Sequence, residues 1–310
     1  MTLTLTPQQR SSSLLDAVGR TPLLALPRLA AGLPPGVSLH AKAEWFNPSG
    51  SVKDRPAASI LRTALENGSL RDGVTLLDST SGNMGIAYAT LGASLGIPVR
   101  LAIPASASPE RFAMLRALGA QIELSDALEG SDGAILLAHE IARREGDAVF
   151  YADQYNNPAN WRAHYQTTGP EIWQQTRSQV THFVAGLGTS GTLMGVGRYL
   201  RERDQSVRII AFQPDGPFHG LEGLKHMPSA IRPSIYDPNF ADETLEISTE
   251  EAQAMTQRLA REEGLFVGVS SGAAAVAALR VASRLQVGRV VTLFPDGGLK
   301  YVSQSLWEKA

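Results

Sequence analysis

Short, mostly apolar segments alternate with longer amphipathic segments along most of the chain, and this alternation predicts an α/β fold. Segments such as 74–77 and 290–294 are dominated by valine and leucine, which is typical of strands that are buried on both faces of a parallel sheet. The segments between them have the apolar spacing of helices. Such alternation indicates βαβ units, in which a helix connects two parallel strands. We therefore expect open, twisted, mostly parallel sheet with helices on both faces.

The individual elements follow from local signals. The chain begins with a short helix at 11–18 and an extended segment at 23–26. Helix 56–67 has apolar residues at helical spacing and stops at Gly68. From residue 74 to residue 214 the alternation of strands and helices is regular. Residues 215–245 contain prolines and show little periodicity, and a loop of this length is usually functional or mobile. The predicted strands lie at 39–44, 74–77, 99–103, 121–124, 148–151, 182–185, 208–212, 266–269 and 290–294. The remaining predicted helices lie at 83–95, 109–118, 131–145, 161–176, 192–203, 250–263 and 273–285.

Composition excludes several classes of function. With 310 residues, 43% hydrophobic and 19% charged, the chain is an ordinary globular protein of two compact domains or one large one. A net charge of −2 and the lack of a basic tract argue against nucleic acid or a membrane surface as partner. There is no cysteine, and the histidines lack the spacing of zinc ligands, so we predict no metal site. Since no signal peptide or membrane span is evident, we expect a cytoplasmic enzyme that acts on small molecules.

Lys53 is the first candidate catalytic residue. It follows the turn-forming residues 47–50, Asn-Pro-Ser-Gly, and falls where a helix begins. At a helix N-terminus the backbone dipole disfavours a second positive charge, and Arg55 nearby acts in the same direction, so we expect the pKa of the amine to be lowered. A lysine with a lowered pKa is a nucleophile that forms Schiff bases with carbonyl compounds. The chain has 28 lysines and arginines, of which only five are lysine. The alternative is a surface lysine that opens an amphipathic helix.

Two loops that each follow a strand and open a helix predict anion-binding sites. Residues 78–85, Asp-Ser-Thr-Ser-Gly-Asn-Met-Gly, offer hydroxyls, an amide side chain and backbone N–H groups, which suit a carboxylate. Residues 186–192, Gly-Leu-Gly-Thr-Ser-Gly-Thr, offer glycines, hydroxyls and a helix N-terminus, which suit a phosphate. Ligands of open α/β sheets bind at the carboxyl ends of the strands, where both loops lie. Plain helix capping is the alternative for each loop.

Other readings of these motifs are weaker. Residues 186–191 fit the dinucleotide pattern GxGxxG, so a nicotinamide dehydrogenase is one alternative, but a lone match is weak evidence. They are not a Walker A loop, because no lysine and serine or threonine pair follows the glycines. Residues 268–272, Gly-Val-Ser-Ser-Gly, match the nucleophile elbow of α/β-hydrolases. That fold needs a histidine after the serine, and no histidine follows Ser270 in this chain.

In order and in combination, these segments resemble the cysteine synthase family of pyridoxal-phosphate enzymes, whose type II fold is shared with the tryptophan synthase β subunit. The resemblance runs from Gly19 to Tyr301. The motifs that carry it are Asn-Pro-Ser-Gly-Ser-Val-Lys-Asp-Arg at 47–55, Thr-Ser-Gly-Asn-Met-Gly at 80–85, Gln154 with Asn-Pro-Ala-Asn at 157–160, Thr-Gly-Pro-Glu at 168–171, the loop at 186–192 and Gly-Val-Ser-Ser-Gly-Ala at 268–273. It implies two α/β domains, each with its own sheet, facing each other across the cofactor. The smaller would span 43–153 and carry the carboxylate loop, and the larger would span 1–42 and 154–310 and carry the phosphate loop.

The resemblance also implies residue roles. Lys53 would hold pyridoxal 5′-phosphate as a Schiff base and later move the Cα proton. Ser270 would face the pyridine nitrogen, with Ser271 as the alternative. The other cofactor contacts would come from Asn83, at the ring hydroxyl, and from Gly188, Thr189, Ser190, Gly191 and Thr192, at the phosphate. The substrate carboxylate would be bound by Thr80, Ser81, Asn83, Met84 (through its backbone) and Gln154.

Two departures from the family pattern concern the substrate. Met84 stands where many relatives have threonine, so one hydroxyl contact is missing. The loop 218–227 resembles the branch that carries a basic residue there, and Lys225, or Lys300 near the C-terminus, would then pair with a phosphate leaving group. Solvated surface lysines are the alternative interpretation.

The expected activity is β-replacement, in which O-acetylserine or O-phosphoserine reacts with sulfide through a bound aminoacrylate to give L-cysteine. Cystathionine β-synthase-like condensation, replacement by an amine and serine or threonine dehydration use the same motifs and stay open as alternatives. A binding module without catalysis is a further one. The family suggests a homodimer.

Overall fold

The computed structural model describes residues 13–80 and 82–307, and it confirms the predicted α/β class with two mainly parallel sheets. Helices cover both faces of each sheet. The strands are β1 (Leu23–Ala25), β2 (Gly36–Ala43), β3 (Thr75–Ser79), β4 (Val99–Pro104), β5 (Gln121–Ser125), β6 (Val149–Tyr151), β7 (His182–Gly186), β8 (Arg208–Pro214), β9 (Glu243–Ile247) and β10 (Val287–Phe294). The α-helices are α1 (Asp54–Glu66), α2 (Asn83–Leu95), α3 (Pro109–Ala117), α4 (Gly130–Glu145), α5 (Pro158–Ala163), α6 (Gly169–Gln175), α7 (Gly191–Arg203), α8 (Thr249–Glu262) and α9 (Val269–Ala282).

The larger sheet has six strands in the order β1-β2-β10-β7-β8-β9. β1 pairs antiparallel with β2, and every other neighbouring pair is parallel. Val184 of β7 packs in the core beneath α8 and α9, whereas Phe183 and Ala185 pack in the core beneath α6 and α7. Successive residues of one strand therefore face two different cores, which explains why the strand is apolar along its length.

The smaller sheet has four parallel strands in the order β5-β4-β3-β6. One face packs against α1, α2 and α3 around Leu76 and Leu101. The other face packs against α4, where Ala134 and Ala138 contact Ala102. All four strands lie between residues 75 and 151. The division into domains at residues 43 and 153 stays a prediction.

Two strand assignments differ from the sequence prediction. The predicted strand at 266–269 is wrong, because the chain makes only an isolated bridge from Val267 to Gly297 and then enters α9 at Val269. β9 was missed inside the segment 215–245. Its residues alternate between exposed and buried because it is an edge strand, so it lacks the continuous apolar run of a central strand. Of the predicted N-terminal helix, the described part forms a 3₁₀ turn at Leu14–Ala17.

The predicted helix at 161–176 is divided into α5, a π-helical turn at His164–Thr168 and α6. Pro170 has no N–H to donate to the carbonyl four residues earlier, so the regular α-helical ladder is interrupted there. π-helical turns are frequent at functional sites. Here the turn brings His164 against the first turn of α7, where its Nε2 lies 3.3 Å from the Thr192 hydroxyl.

A buried charge cluster fixes the start of α1. We call it the Arg55 cluster, and it consists of Arg55, Glu44, Glu171 and Lys42. Arg55 donates to both oxygens of Glu44 at 2.7 and 2.9 Å and to both oxygens of Glu171 at 2.7 and 2.8 Å. Lys42 Nζ lies 2.6 Å from Glu171, and the Thr21 hydroxyl donates to Glu44 at 2.7 Å. Two cations therefore balance two anions, and the cluster ties α1 to β2, to the turn that follows β2 and to α6.

No helix within residues 13–80 and 82–307 combines the length and the apolar character needed to cross a membrane.

Replacement of Arg55 tests the cluster. We expect Arg55→Met to lower the free energy of unfolding by about 3–5 kcal/mol, because it leaves the buried carboxylate of Glu44 and the partly buried one of Glu171 with one cation. Urea unfolding measures this loss. Arg144→Met is the matched control, since Arg144 is exposed and pairs with Glu145 at the surface, and it should change the free energy by less than about 1 kcal/mol. Equal effects of the two substitutions would contradict a stabilising role for the cluster.

Candidate active site

One cavity lies where the carboxyl ends of strands from both sheets meet. It is lined by Thr80 just after β3, by Gly188 just after β7 and by Pro295 just after β10, as is typical of ligand sites in open α/β sheets. The space free of protein atoms amounts to about 1030 Å³, part of it open to solvent. All the predicted site residues line this cavity except Ser81, which lies outside the described residues. They are Lys53, Thr80, Asn83, Met84, Gln154, Gly188, Thr189, Ser190, Gly191, Thr192, Lys225 and Ser270.

Lys53 immediately precedes α1, and its half-buried side chain faces this cavity. Burial lowers the pKa of its amine, the carboxylate of Asp296 opposes that shift, and the charge of Lys300 adds to it. The lowered pKa agrees with the sequence prediction, but the predicted contribution of Arg55 was wrong. The guanidinium of Arg55 is neutralised within the Arg55 cluster.

The carboxylate loop is held at the N-terminus of α2. The Thr80 hydroxyl accepts from the backbone N–H groups of Gly82 at 3.0 Å and Gly85 at 3.1 Å. Gln154 is buried and donates to the Ser79 carbonyl at 2.6 Å. These bonds hold Thr80 against the first turn of the 13-residue α2, whose N-terminal residues Asn83 and Met84 line the cavity, and a helix N-terminus favours a negative charge.

Asn83 has a charged partner on each side of its amide. Its Nδ2 donates to Asp296 Oδ2 at 2.7 Å, and its Oδ1 accepts from Lys300 Nζ at 2.8 Å. Tyr301 donates to the same oxygen of Asp296 at 2.6 Å. For Lys300, the reading as a solvated surface residue is wrong, since its amine is bound to Asn83 and half-buried.

The phosphate loop combines a helix N-terminus with close backbone packing. Ser190 has a φ of +64° and immediately precedes the 13-residue α7. A Cβ atom on Gly188 would lie 2.3 Å from the carbonyl oxygen of Gly223, and one on Gly191 would lie 2.0 Å from the side chain of Asn160. The loop therefore has room only for glycine at these positions, and Gly191 and Thr192, at the N-terminus of α7, line the cavity.

Ser270 and Ser271 have different surroundings. Ser270 lies in the first turn of α9 and lines the cavity. Ser271 is completely buried, and its hydroxyl oxygen has no hydrogen-bond partner among the described residues. Ser270 is therefore the serine that a ligand in the cavity would contact.

Lys225 is not a solvated surface lysine. Its side chain is only 5% exposed, its Nζ lies 2.5 Å from Asp132 Oδ1, and the same amine lies 4.9 Å from the centre of the Tyr155 ring. Asp132 also accepts from the backbone N–H of Ile231 at 2.8 Å. The charge of Lys225 is therefore balanced at the edge of the cavity by a residue of α4.

Three cavity residues with ionisable side chains were not predicted from the sequence. Tyr155 directly follows Gln154, Glu222 lies in the same loop as Lys225, and Tyr301 is the last residue of the resemblance. Glu222 forms an ion pair with Arg111 of α3. Proximity to recognised motif residues was the only sequence signal for the three, because none belongs to a motif with a known chemical role.

Comparison with known proteins identifies the family. The family model described as "Pyridoxal-phosphate dependent enzyme" matches residues 14–296. The chain belongs to this family. A cysteine synthase of Aquifex aeolicus is 48% identical over 300 residues, which cover 95% of this chain and 92% of the relative.

Solved structures agree with this assignment. The cysteine synthase (OASS) of Entamoeba histolytica has a TM-score of 0.91 and 32% identity, covering 99% of this chain and 94% of that one. The O-acetylserine dependent cystathionine beta-synthase of Helicobacter pylori has a TM-score of 0.90 and 35% identity, covering 96% and 99%. Pyridoxal phosphate is thus the cofactor, and the cavity fits it. A lysine of lowered pKa, a glycine-lined helix N-terminus and an accessible serine hydroxyl suit its aldehyde, phosphate and ring nitrogen.

Asp78 is a buried carboxyl group directly behind the carboxylate loop. It is completely buried, and its Oδ1 accepts from the Ser79 N–H at 2.8 Å. Burial raises the pKa of Asp78 to about 8, and the charge of Asp153 acts in the same direction. Asp78 is therefore protonated in the folded protein at neutral pH.

The raised pKa predicts how stability depends on pH. Between about pH 4 and pH 8 the folded protein keeps the proton on Asp78, whereas the unfolded chain releases it near the ordinary aspartate value. The free energy of unfolding should therefore fall as pH rises through this window, by at most about 1.4 kcal/mol per pH unit. Asp78→Asn should remove this slope in urea unfolding measured at several pH values. The exposed Asp147→Asn is the control, and an Asp78→Asn protein that keeps the wild-type slope would show that Asp78 is charged when folded.

Proposed function

We propose that the protein synthesises L-cysteine from an activated serine and sulfide by pyridoxal-phosphate dependent β-replacement. One observation carries the proposal. In a chain of this family, Lys53, a carboxylate-binding helix N-terminus and a phosphate-binding helix N-terminus face one cavity. These are the groups that a β-replacement on an amino acid needs, because the substrate carboxylate, the cofactor phosphate and a mobile proton must be bound at the same time.

The proposed cofactor contacts are supported by the position of these residues around one cavity. The residues from Gly188 to Thr192 bind the phosphate with backbone N–H groups and hydroxyls at the start of α7. Asn83 binds the ring hydroxyl. Ser270 donates to the pyridine nitrogen, and unlike a carboxylate it does not hold that nitrogen protonated. When bound, the cofactor withdraws electrons from the amino-acid Cα, and the weaker withdrawal that a serine permits suits the early departure of a β-substituent.

Lys53 serves as both the attachment point and the base. Its lowered pKa leaves a larger fraction of the amine neutral, so Lys53 would hold the cofactor through its aldehyde and would accept the Cα proton of the substrate. Thr80, Ser81, Asn83, Gln154 and the backbone N–H of Met84 hold the substrate carboxylate at the N-terminus of α2. This would orient the Cα proton toward Lys53, which lines the same cavity.

A second candidate function differs only in the nucleophile. The Helicobacter pylori structure, with a TM-score of 0.90, is that of an O-acetylserine dependent cystathionine beta-synthase, and by analogy a larger thiol such as homocysteine would replace sulfide. Product analysis with sulfide, homocysteine and amines, each supplied with the same activated serine, separates these activities.

The proposal also includes a cytoplasmic location and a homodimer. Size-exclusion chromatography with light scattering tests the homodimer.

Replacement of Lys53 tests the function. We expect Lys53→Ala to abolish both the visible absorbance of the lysine-bound cofactor and the formation of cysteine, with turnover falling by at least about a thousandfold because the base is lost. Absorbance spectra and a sulfide-dependent cysteine assay measure the two effects. Thr63→Ala, on the exposed face of α1, is the control and should retain both. A Lys53→Ala protein that kept its absorbance and turnover would contradict the proposal.

The charge balance at Lys225 predicts the choice of donor. Because Asp132 already neutralises Lys225, we expect O-acetylserine to be preferred over O-phosphoserine. Asp132→Asn frees the amine, so it should raise kcat/KM for O-phosphoserine relative to O-acetylserine by roughly tenfold, the worth of one charge-assisted hydrogen bond. Lys225→Met, alone and combined with Asp132→Asn, is the control and should cancel this gain. A ratio unaffected by Asp132→Asn would exclude Lys225 from contact with the leaving group.

A further inference from the structure

The segment from Phe294 to Tyr301 contacts both Asn83 and the turn 47–53 that leads to Lys53, which we call the lysine turn. This segment has no role in the chemistry described so far. The backbone of Asp296 forms an antiparallel bridge with Ser51, and the Val52 N–H donates to the Pro295 carbonyl at 2.8 Å. The side chain of Asp296 is completely buried. The segment is therefore built into the wall of the cavity beside Lys53.

The contacts of Asn83 with this segment determine what its amide offers to the cavity. An amide NH₂ group has two donor hydrogens and its carbonyl is an acceptor. Asp296 takes one hydrogen at 2.7 Å, and Lys300 occupies the oxygen at 2.8 Å. The charged partners fix which end of the amide is nitrogen and which is oxygen, and the second N–H of Asn83 is left for a group in the cavity.

We propose that Lys300 is a positioning residue, which holds the Asn83 amide together with Asp296 so that Asn83 donates a hydrogen bond to the ring hydroxyl oxygen of the bound cofactor. Lys300 itself does not line the cavity, so it acts through Asn83. Its amine also lies 3.3 Å from the Gly50 carbonyl, in the turn that leads to Lys53. The side chain of Lys300 thus contacts both Asn83, at the start of α2, and the lysine turn. The inference rests on the proposed function, because it assumes the cofactor contact of Asn83.

The charges around Lys300 are consistent with this role. The charged groups that act on its amine are Asp296, Asp54 and Arg111, and the amine in turn acts on Lys53. Burial lowers the pKa of Lys300, and the two carboxylates oppose that shift. An amine with two carboxylates nearby stays a strong donor to Asn83, and its charge at the same time disfavours a charged Lys53.

A double-mutant cycle tests whether Lys300 acts through Asn83. The dissociation constant of pyridoxal 5′-phosphate is measured for the full-length protein and for Lys300→Met, Asn83→Ala and the double variant. We expect Lys300→Met to weaken binding roughly tenfold or more, as for the loss of one charge-assisted hydrogen bond. In the Asn83→Ala background the same substitution should weaken binding less than about threefold, because the amide that it positions is gone. Lys300→Arg keeps a charged donor and should recover most of the affinity.

The binding measurements include a control variant next to Lys300. Leu299→Ala changes a neighbouring side chain that is 80% exposed, so it should leave the affinity unchanged. An equal loss from Lys300→Met in both backgrounds would mean that Lys300 only supports the fold and would overturn the proposal, as would no loss in either. Lys300→Gln replaces the methionine variant in the cycle if the latter does not fold by circular dichroism. A wild-type protein that does not bind pyridoxal phosphate contradicts the proposed function itself, whereas additive losses in a protein that binds it contradict only the role of Lys300.

Discussion

The position of Lys53 depends on the buried charges of the Arg55 cluster. Arg55 is the second residue of α1, and its four hydrogen bonds to two carboxylates leave the helix little freedom to rotate or slide. Glu44 follows β2, and Glu171 lies in the first turn of α6, so the larger sheet and its helices fix the helix that carries the lysine. Such a cluster contributes little net stability compared with apolar packing, but it is costly to break, and it permits one geometry. We infer that the Arg55 cluster serves to fix the position of Lys53. A base must lie within hydrogen-bond reach of the proton that it moves.

The same requirement explains how charge is distributed around the cavity. Lys42, Arg55, Lys225 and Lys300 each contact a carboxylate or an amide oxygen. These contacts satisfy the cations, so an anionic substrate is drawn to the two helix N-termini and to Lys53 rather than to a competing side chain. The helix N-termini bind anions through backbone groups whose position does not vary with rotamer. In the proposed function, binding and chemistry thus belong to different kinds of group, the backbone for anions and one lysine for the proton.

Much of the fold was predictable from the sequence, and the exceptions have physical causes. Strands such as β4 and β7 are buried on both faces, and this leaves an apolar run that is visible without a structure. β9 lies at the edge of the sheet and shows only alternation, so it was missed. The interruption of the helix near Pro170 depends on a lost hydrogen bond, which propensity alone does not locate. The loops of the site were predictable because each chemical group they offer is local in sequence.

The contacts of Lys300 with Asn83 and of Lys225 with Asp132 were not predictable, and the reason is the same for both. Each joins residues 93 or 217 positions apart, and the pairing follows only from the packing of the two sheets against each other. From sequence, both lysines were candidates for pairing with a leaving group. In the folded chain the amines of Lys225 and Lys300 already have partners, Asp132 and Asn83. Each lysine therefore holds a neighbouring side chain in place instead of waiting for a substrate. Lys300 contacts the amide of Asn83, which lines the cavity. Lys225 joins its own loop to α4 through Asp132. In the proposed function the substrate-facing chemistry therefore falls on Lys53, whereas Lys225 and Lys300 restrict the groups around the cavity.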